Sequence, residues 1–205
     1  MKRIVKKPEE RRKEIISIAK KMFLEREYEK TSLNDIVNTL GVAKGTVYHY
    51  FKSKEELLDA VVELMSDEYM QMVKKSLGKI KISAQKRFQE LVGSSNIASN
   101  MKDTLINLHR SGNIGLHTRL LAQCIEKLAP LYAEVIQHGC EEGIFKTDFP
   151  LETAEILLAG IQFITDTGFY PWKQEDLIRR SKALSVLVEA QLGAKKGSLD
   201  LKIIN

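Results

Sequence analysis

Thr31–Tyr50 reads TSLNDIVNTLGVAKGTVYHY, and the fold turns on how these twenty residues are interpreted. Leu33, Ile36, Val37 and Leu40 recur at i, i+3, i+4 and i+7, the apolar face of one α-helix. Ser32 precedes them and Asp35 follows three residues later, a capping box with Asp in place of Glu or Gln. Gly41 stops the helix, because glycine takes the left-handed C-cap conformation at little cost. A second short helix is expected over residues 43–50. Helix, three-residue turn beginning with glycine, helix is the layout of a helix-turn-helix, whose second helix enters the DNA major groove. At about 100° per residue, Lys44, Gly45, Tyr48 and His49 fall on one side of that second helix, with Ala43, Val47 and Tyr50 on the other. Lysine can donate to guanine or to phosphate, and glycine lets the helix backbone approach a groove closely. Thr46 lies between the faces, within reach of a phosphate or a thymine methyl.

The flanks extend the same module. Upstream, Ile15, Ile18, Ala19 and Met22 form a stripe widened by Ile16 and Phe23. Pro8, Glu9 and Glu10 suit a first helical turn, so a helix is expected from about Pro8 to Arg26. Downstream, Ser53-Lys54-Glu55-Glu56 is a complete capping box for a long helix carrying Leu57, Leu58, Val61, Leu64 and Met65. Helix starts bind phosphate through free N–H groups and the helix dipole. Thr31 and Ser32 open one motif helix and Lys54 opens the fourth helix, with Lys52 beside it. Lys2, Arg3, Lys6 and Lys7 form a candidate flexible arm.

Charge agrees with that placement. Residues 1–55 hold 14 Lys/Arg against 8 Asp/Glu, a balance of +6, whereas residues 56–205 hold 18 against 19, a balance of −1. All the excess positive charge of the 205-residue chain lies in its first quarter. A polyanion-binding end on a neutral body is implied, with nucleic acid ahead of an anionic membrane surface. A solvated basic face with no partner is the plain alternative. The longest nearly apolar run, residues 156–164, is far short of a membrane span, and no apolar stretch follows the basic N-terminus as a signal peptide requires. Two cysteines, Cys124 and Cys140, are too few for a disulfide framework, so a cytoplasmic protein with reduced thiols is expected.

Beyond Gly78 the pattern stays helical, and the fold class is all-α. Helices are expected near residues 83–96, 98–110, 115–142, 152–167 and 174–191, with Pro130 bending or dividing the third of these. Ile156, Leu157, Ala159, Gly160, Phe163 and Ile164 make the fourth apolar around most of its circumference. Leu177, Ile178, Leu184, Leu187, Val188 and Leu192 do the same for the last, and a partner subunit is the natural cover. The expected organisation is an N-terminal helix-turn-helix domain over 1–53 (motif 31–50), a helical domain over 54–192 and a loosely held tail over 193–205.

Other constellations are weaker. His109, His117 and Cys124, or His138 and Cys140, lack compact zinc spacing, so no metal is expected. Gly41–Thr46 lacks the spacing of a phosphate-binding loop and a preceding strand, and no nucleophile or paired-histidine motif is present. No enzyme and no cofactor are expected.

Pro8–Asp67 strongly resembles the DNA-binding module of the tetracycline-repressor (TetR) family of bacterial transcriptional regulators, the family module running over about residues 8–68. The match is carried by Thr31, Ile36, Gly41–Tyr48, Tyr50-Phe51 and Lys54–Leu57. The resemblance implies that Lys44, Thr46, Tyr48 and His49, with Thr31 and Lys54 at helix starts, serve DNA binding. Together with Ser32, Gly45 and Lys52 they are the candidate DNA-binding residues. It implies a homodimer built by the two late helices, here Ile156, Gly160, Phe163, Leu184, Leu187 and Val188. It also implies a palindromic double-stranded operator and a body pocket for a small-molecule effector, with Met101, Leu105, His109, Leu121, Phe163 and Asp166 as candidate lining. The expected function is therefore a ligand-responsive repressor. An activator, a regulator switched by a protein partner, and a non-specific basic interaction protein are the alternatives.

Overall fold

The computed structural model describes residues 6–77, 82–93 and 102–201. They form α1 (Pro8–Arg26), α2 (Leu33–Leu40), α3 (Lys44–Tyr50), α4 (Lys54–Ser76), α5 (Ala84–Gly93), α6 (Lys102–Leu108), α7 (Ile114–Glu141), α8 (Pro150–Thr165) and α9 (Gln174–Gln191). There is no strand among the described residues. The chain divides into two compact units, Met1–Asp67 with Asp103–Leu120, and Glu68–Lys102 with Leu121–Asn205. The expected boundary at residue 53 is thereby corrected. Leu57, Leu58, Val61 and Met65 of α4 are buried in the same core as Phe23, Ile36 and Val47, and Leu108 and Leu116 join it from far along the chain.

In the first unit local signals do what their chemistry dictates. α1 starts at Pro8, which needs no N–H partner there, with Glu9 and Glu10 in its first turn. At the start of α2, the Ser32 hydroxyl accepts the Asp35 N–H and the Asp35 carboxylate accepts the Ser32 N–H at 2.8 Å. Gly41 closes α2 at φ +63°, its N–H donating to the carbonyls of Val37 and Asn38. At the start of α4 the Ser53 hydroxyl accepts the Glu56 N–H at 3.0 Å. The Glu56 carboxylate reaches one residue further back than the standard box, to the Lys52 N–H at 2.6 Å. α1 packs on α2, and α2 on α3.

The second unit buries Phe88 of α5 edge-on against Tyr132 of α7 (centroids 6.0 Å) and against Phe145 (5.7 Å). α8 packs on α9. α7 runs through Pro130 as one helix, so the proline does not divide it; Pro130 sits on the exposed side.

The tail is corrected too. Residues 193–201 are held rather than loose. The Glu189 carboxylate accepts the N–H groups of Gly197 (2.9 Å) and Leu199 (2.8 Å), and Ser185 Oγ accepts that of Leu201 at 3.1 Å. Leu199 and Leu201 are buried. Two buried leucines and a carboxylate satisfying backbone donors oppose the ordering entropy of this short segment.

Candidate nucleic-acid interface

Val47, with 0% of its surface exposed, seats α3 on the core, and Phe51 follows as a second anchor. With those two positions fixed, the opposite face of α3 must look outward. Lys44, Gly45 and His49 are exposed and Thr46 and Tyr48 half-buried. Ala43, expected on the packed side, is exposed at the N-cap. Lys44 Nζ stands 5.2 Å from the centre of the Tyr48 ring one turn on, so cation and ring occupy one patch.

Lys52 closes the other end of α3. Its ammonium donates to the Tyr48 carbonyl at 3.0 Å and the His49 carbonyl at 3.4 Å, where a cation offsets the helix dipole. Lys54 is half-buried. Its Nζ lies 4.1 Å from the Tyr28 ring centre and donates to the Glu29 carbonyl at 3.3 Å. Burial lowers its pKa from the ordinary lysine value. A cleft of about 360 Å³ gathers Ser32, Asn34, Tyr48 and Lys54 along the start of α2. The start of α2, Tyr48 and Lys54 share this opening with Glu29 and Lys30, a candidate anion-binding edge beside the exposed face of α3.

Thr31 departs from expectation. It is 2% exposed and its hydroxyl donates to the Glu27 carbonyl at 2.9 Å. The side chain fixes the α1–α2 turn, so its assignment as a direct phosphate ligand is withdrawn. Lys2 and Arg3 lie outside the described residues. Lys6 pairs with Glu14 at 2.7 Å, which lowers the Glu14 pKa.

The candidate effector residues are divided between the two units. Leu105 and His109 belong to the first unit, where Leu105 packs on its core and the His109 ring lies 5.1 Å from that of His117. Leu121, Phe163 and Asp166 belong to the second, and Met101 lies outside the described residues. Cys124 is buried in the second unit and its thiol is pushed up to about 12, the protonated and unreactive form. Among the dimer candidates, Ile156, Gly160, Phe163 and Leu187 are exposed and Leu184 is half-buried. Val188 is 0% exposed and belongs to the core of its own protomer, so it is removed from the candidate interface. Phe163 joins Phe169 and Tyr170 in a surface aromatic cluster.

Sequence reasoning missed Glu27, Gly112 and Asn113. Gly112 N–H donates to the Glu27 carboxylate at 3.0 Å, and buried Asn113 donates to the Phe23 carbonyl at 3.0 Å. They meet across 85 and 90 positions, a separation that leaves no signal in periodicity.

A glycine-turned helix pair whose second helix presents a lysine, a glycine and two rings beside a candidate anion-binding edge has the layout of a helix-turn-helix DNA-binding protein. Comparison with known proteins gives the family. The model described as "Bacterial regulatory proteins, tetR family" matches residues 15–61, and "Tetracyclin repressor-like, C-terminal domain" matches residues 96–186. The chain belongs to the TetR family of bacterial transcriptional regulators. The HTH-type transcriptional repressor KstR2 of Rhodococcus jostii (strain RHA1) is 25% identical over 167 residues, 78% of this chain and 76% of that one. KstR2 of Mycobacterium tuberculosis (strain ATCC 25618 / H37Rv) is 26% identical over 175 residues, 82% of each chain. The fold is shared with the crystal structure of a TetR-family regulator from Pectobacterium atrosepticum, with TM-score 0.66 and 22% identity over 90% of this chain and 95% of that one. Among the described residues, no helix is long and apolar enough to cross a membrane.

Proposed function

We propose that this TetR-family regulator is a cytoplasmic homodimeric repressor, released from a palindromic operator by a small molecule. Lys44, Gly45, Thr46, Tyr48 and His49 face the major groove, and Ser32, Lys52 and Lys54 face phosphates. The observation that carries the reading is the division of α3, with Val47 buried and Lys44, Gly45 and His49 exposed. The exposed apolar side chains of Ile156 and Phe163 on α8 and Leu187 on α9 support pairing with a second copy. The KstR2 relatives, which are repressors by name, support repression over activation. The role is binding rather than catalysis.

The physical requirement is spacing. A dimer must hold its two recognition helices about one DNA turn apart, roughly 34–36 Å. An effector that favours another spacing weakens DNA binding, and DNA weakens effector binding by the same factor. The test is selection of genomic fragments by the purified protein near physiological salt, about 0.15 M, where non-specific attraction is weakened. Recovery of one palindrome, with binding lost in Tyr48→Ala and Lys44→Ala dimers, is the expected result. Unaltered affinity in both variants refutes the placement of α3.

A further inference from the structure

The turn between α6 and α7 is tied to the DNA-binding module by an unusual set of contacts, all within the first unit. Glu27 ends α1 at φ +71° and ψ 142°, where glycine is the ordinary occupant. Its carboxylate accepts the Gly112 N–H at 3.0 Å and pairs with Lys30. Gly112 returns a bond, its carbonyl accepting the Glu29 N–H at 3.1 Å. Asn113 is 0% exposed. Its Oδ1 accepts the Tyr28 N–H at 2.6 Å, while its Nδ2 donates to the carbonyls of Phe23 (3.0 Å) and Asn107 (2.8 Å). Arg110 adds a bond to the Glu25 carbonyl at 2.8 Å. The fit is tight: a Cβ at Gly112 would lie 2.5 Å from a Glu27 carboxylate oxygen and 2.9 Å from the Glu27 Cβ.

What these bonds hold is informative. Tyr28 and Glu29 are the two partners of Lys54, through a ring face and a carbonyl. The Glu27 carbonyl holds the Thr31 hydroxyl immediately before the N-cap of α2. Residues 112 and 113 therefore fix, one bond removed, both the ammonium and the helix start at the anion-binding edge.

We propose that Glu27, Gly112 and Asn113 are positioning residues for DNA binding, holding Lys54 and the N-terminus of α2 where a backbone phosphate arrives. The inference rests on the DNA-facing reading of α2–α4. It goes beyond that reading by making a turn from the middle of the chain part of the DNA-binding apparatus.

Charge gives the test its sign. Removing a carboxylate close to a phosphate site, with no other change, tightens DNA binding. Positioning predicts the reverse for Glu27→Gly, which removes the acceptor for Gly112 while relieving the positive φ. Glu27→Gln makes the same charge change but keeps an amide oxygen to accept that N–H.

Full-length wild type, Glu27→Gly, Glu27→Gln and Gly112→Ala are titrated with the selected operator over a salt series. Folding and dimer state are checked by circular dichroism and light scattering. Glu27→Gly and Gly112→Ala are expected to bind roughly tenfold more weakly, with a shallower dependence of log K on log salt, as befits a misplaced phosphate contact. Glu27→Gln is expected to bind at least as tightly as wild type. In the Glu27→Gly background, Gly112→Ala is expected to add nothing, since the atoms it would strike are gone. Folded Glu27→Gly that binds as well as wild type overturns the proposal, and so does Glu27→Gln falling as far as Glu27→Gly. If Glu27→Gly does not fold, Gly112→Ala decides alone: unaltered affinity and salt slope overturn the proposal. Tyr48→Ala is the control for the underlying reading. If it binds as wild type, the DNA-facing reading has failed, whatever the clamp variants do.

Discussion

Gly45→Ala separates stability from function at the recognition helix. Gly45 is the second residue of α3, exposed, and a Cβ built there has no atom within 4 Å. Its φ is not in the left-handed region, so alanine fits without strain. The free protein should gain about 0.5–1 kcal/mol from helix propensity and reduced unfolded-state entropy. For a chain of this length that is about 1–4 °C in Tm. Operator binding should move the other way. On the exposed face beside Lys44 and Tyr48, the added methyl holds the helix off the groove floor. Losing the register of one base contact costs about 1–3 kcal/mol, roughly a five- to 150-fold weaker Kd. Thermal melts and fluorescence-anisotropy titrations on one preparation measure both effects. A higher Tm with undiminished affinity refutes the reasoning, because α3 would then meet DNA along another edge. A lower Tm refutes it differently, since the open space around Gly45 would be filled in solution.

Gly139→Ala is expected to cost about 1–3 kcal/mol in urea unfolding, because its Cβ would lie 2.1 Å from Phe145 Cδ2 and that ring is hemmed in by Phe88. Two neighbours on α9 should respond oppositely. Leu187→Asp, at a side chain 65% exposed, should dissociate the dimer and leave the protomer folded, by light scattering and circular dichroism. Val188→Ala, at a buried side chain, should cost about 2 kcal/mol of stability and leave association intact. The bonds from Leu199 and Gly197 hold the Glu189 carboxyl below its ordinary value near 4.5. Its contribution is therefore complete at neutral pH and lost as pH falls below that value through the folded pKa. Glu189→Gln should lower the urea midpoint at neutral pH, and the gap to wild type should close in acid. A gap independent of pH would contradict the ionised role.

How much of this was legible in the sequence depended on whether the deciding interaction was local. Ser32, Asp35 and Gly41 act on groups within four residues, so the ends of α2 could be read directly from their chemistry. Val47 was identifiable because α3 has one apolar side and one polar side. Val188 and Leu187 were not separable. A helix apolar nearly all round has no phase to read, and the core takes one neighbour while the surface keeps the other. Thr31 was misread because a threonine before a helix suggests a cap. Its hydroxyl is claimed instead by the carbonyl of Glu27, whose positive φ nothing in a glutamate announces. The terminal position of residues 193–205 suggested a loosely held tail. The bonds that hold it run from backbone N–H groups to Glu189, and backbone donors leave no mark in side-chain patterning.

The lysines at the candidate interface share a property that composition alone could not supply. Lys6 and Lys30 are each neutralised by a carboxylate, of Glu14 and Glu27 respectively. Lys44, Lys52 and Lys54 are held by a tyrosine ring, by helix-end carbonyls, and by a ring with a carbonyl. None of these three has a carboxylate within ion-pair distance among the described residues. Rings and carbonyls orient an ammonium without cancelling its charge, and part of the rotamer entropy is already lost before DNA arrives. A phosphate meeting them breaks no ion pair, whereas one meeting Lys30 must compete with Glu27. The excess charge of the first 55 residues is thus concentrated by pairing as well as by count: among the described residues, the cations at this edge with no carboxylate in ion-pair contact are those flanking α3 and the start of α2, although Lys54 still feels the more distant carboxylates of Glu29 and Asp35.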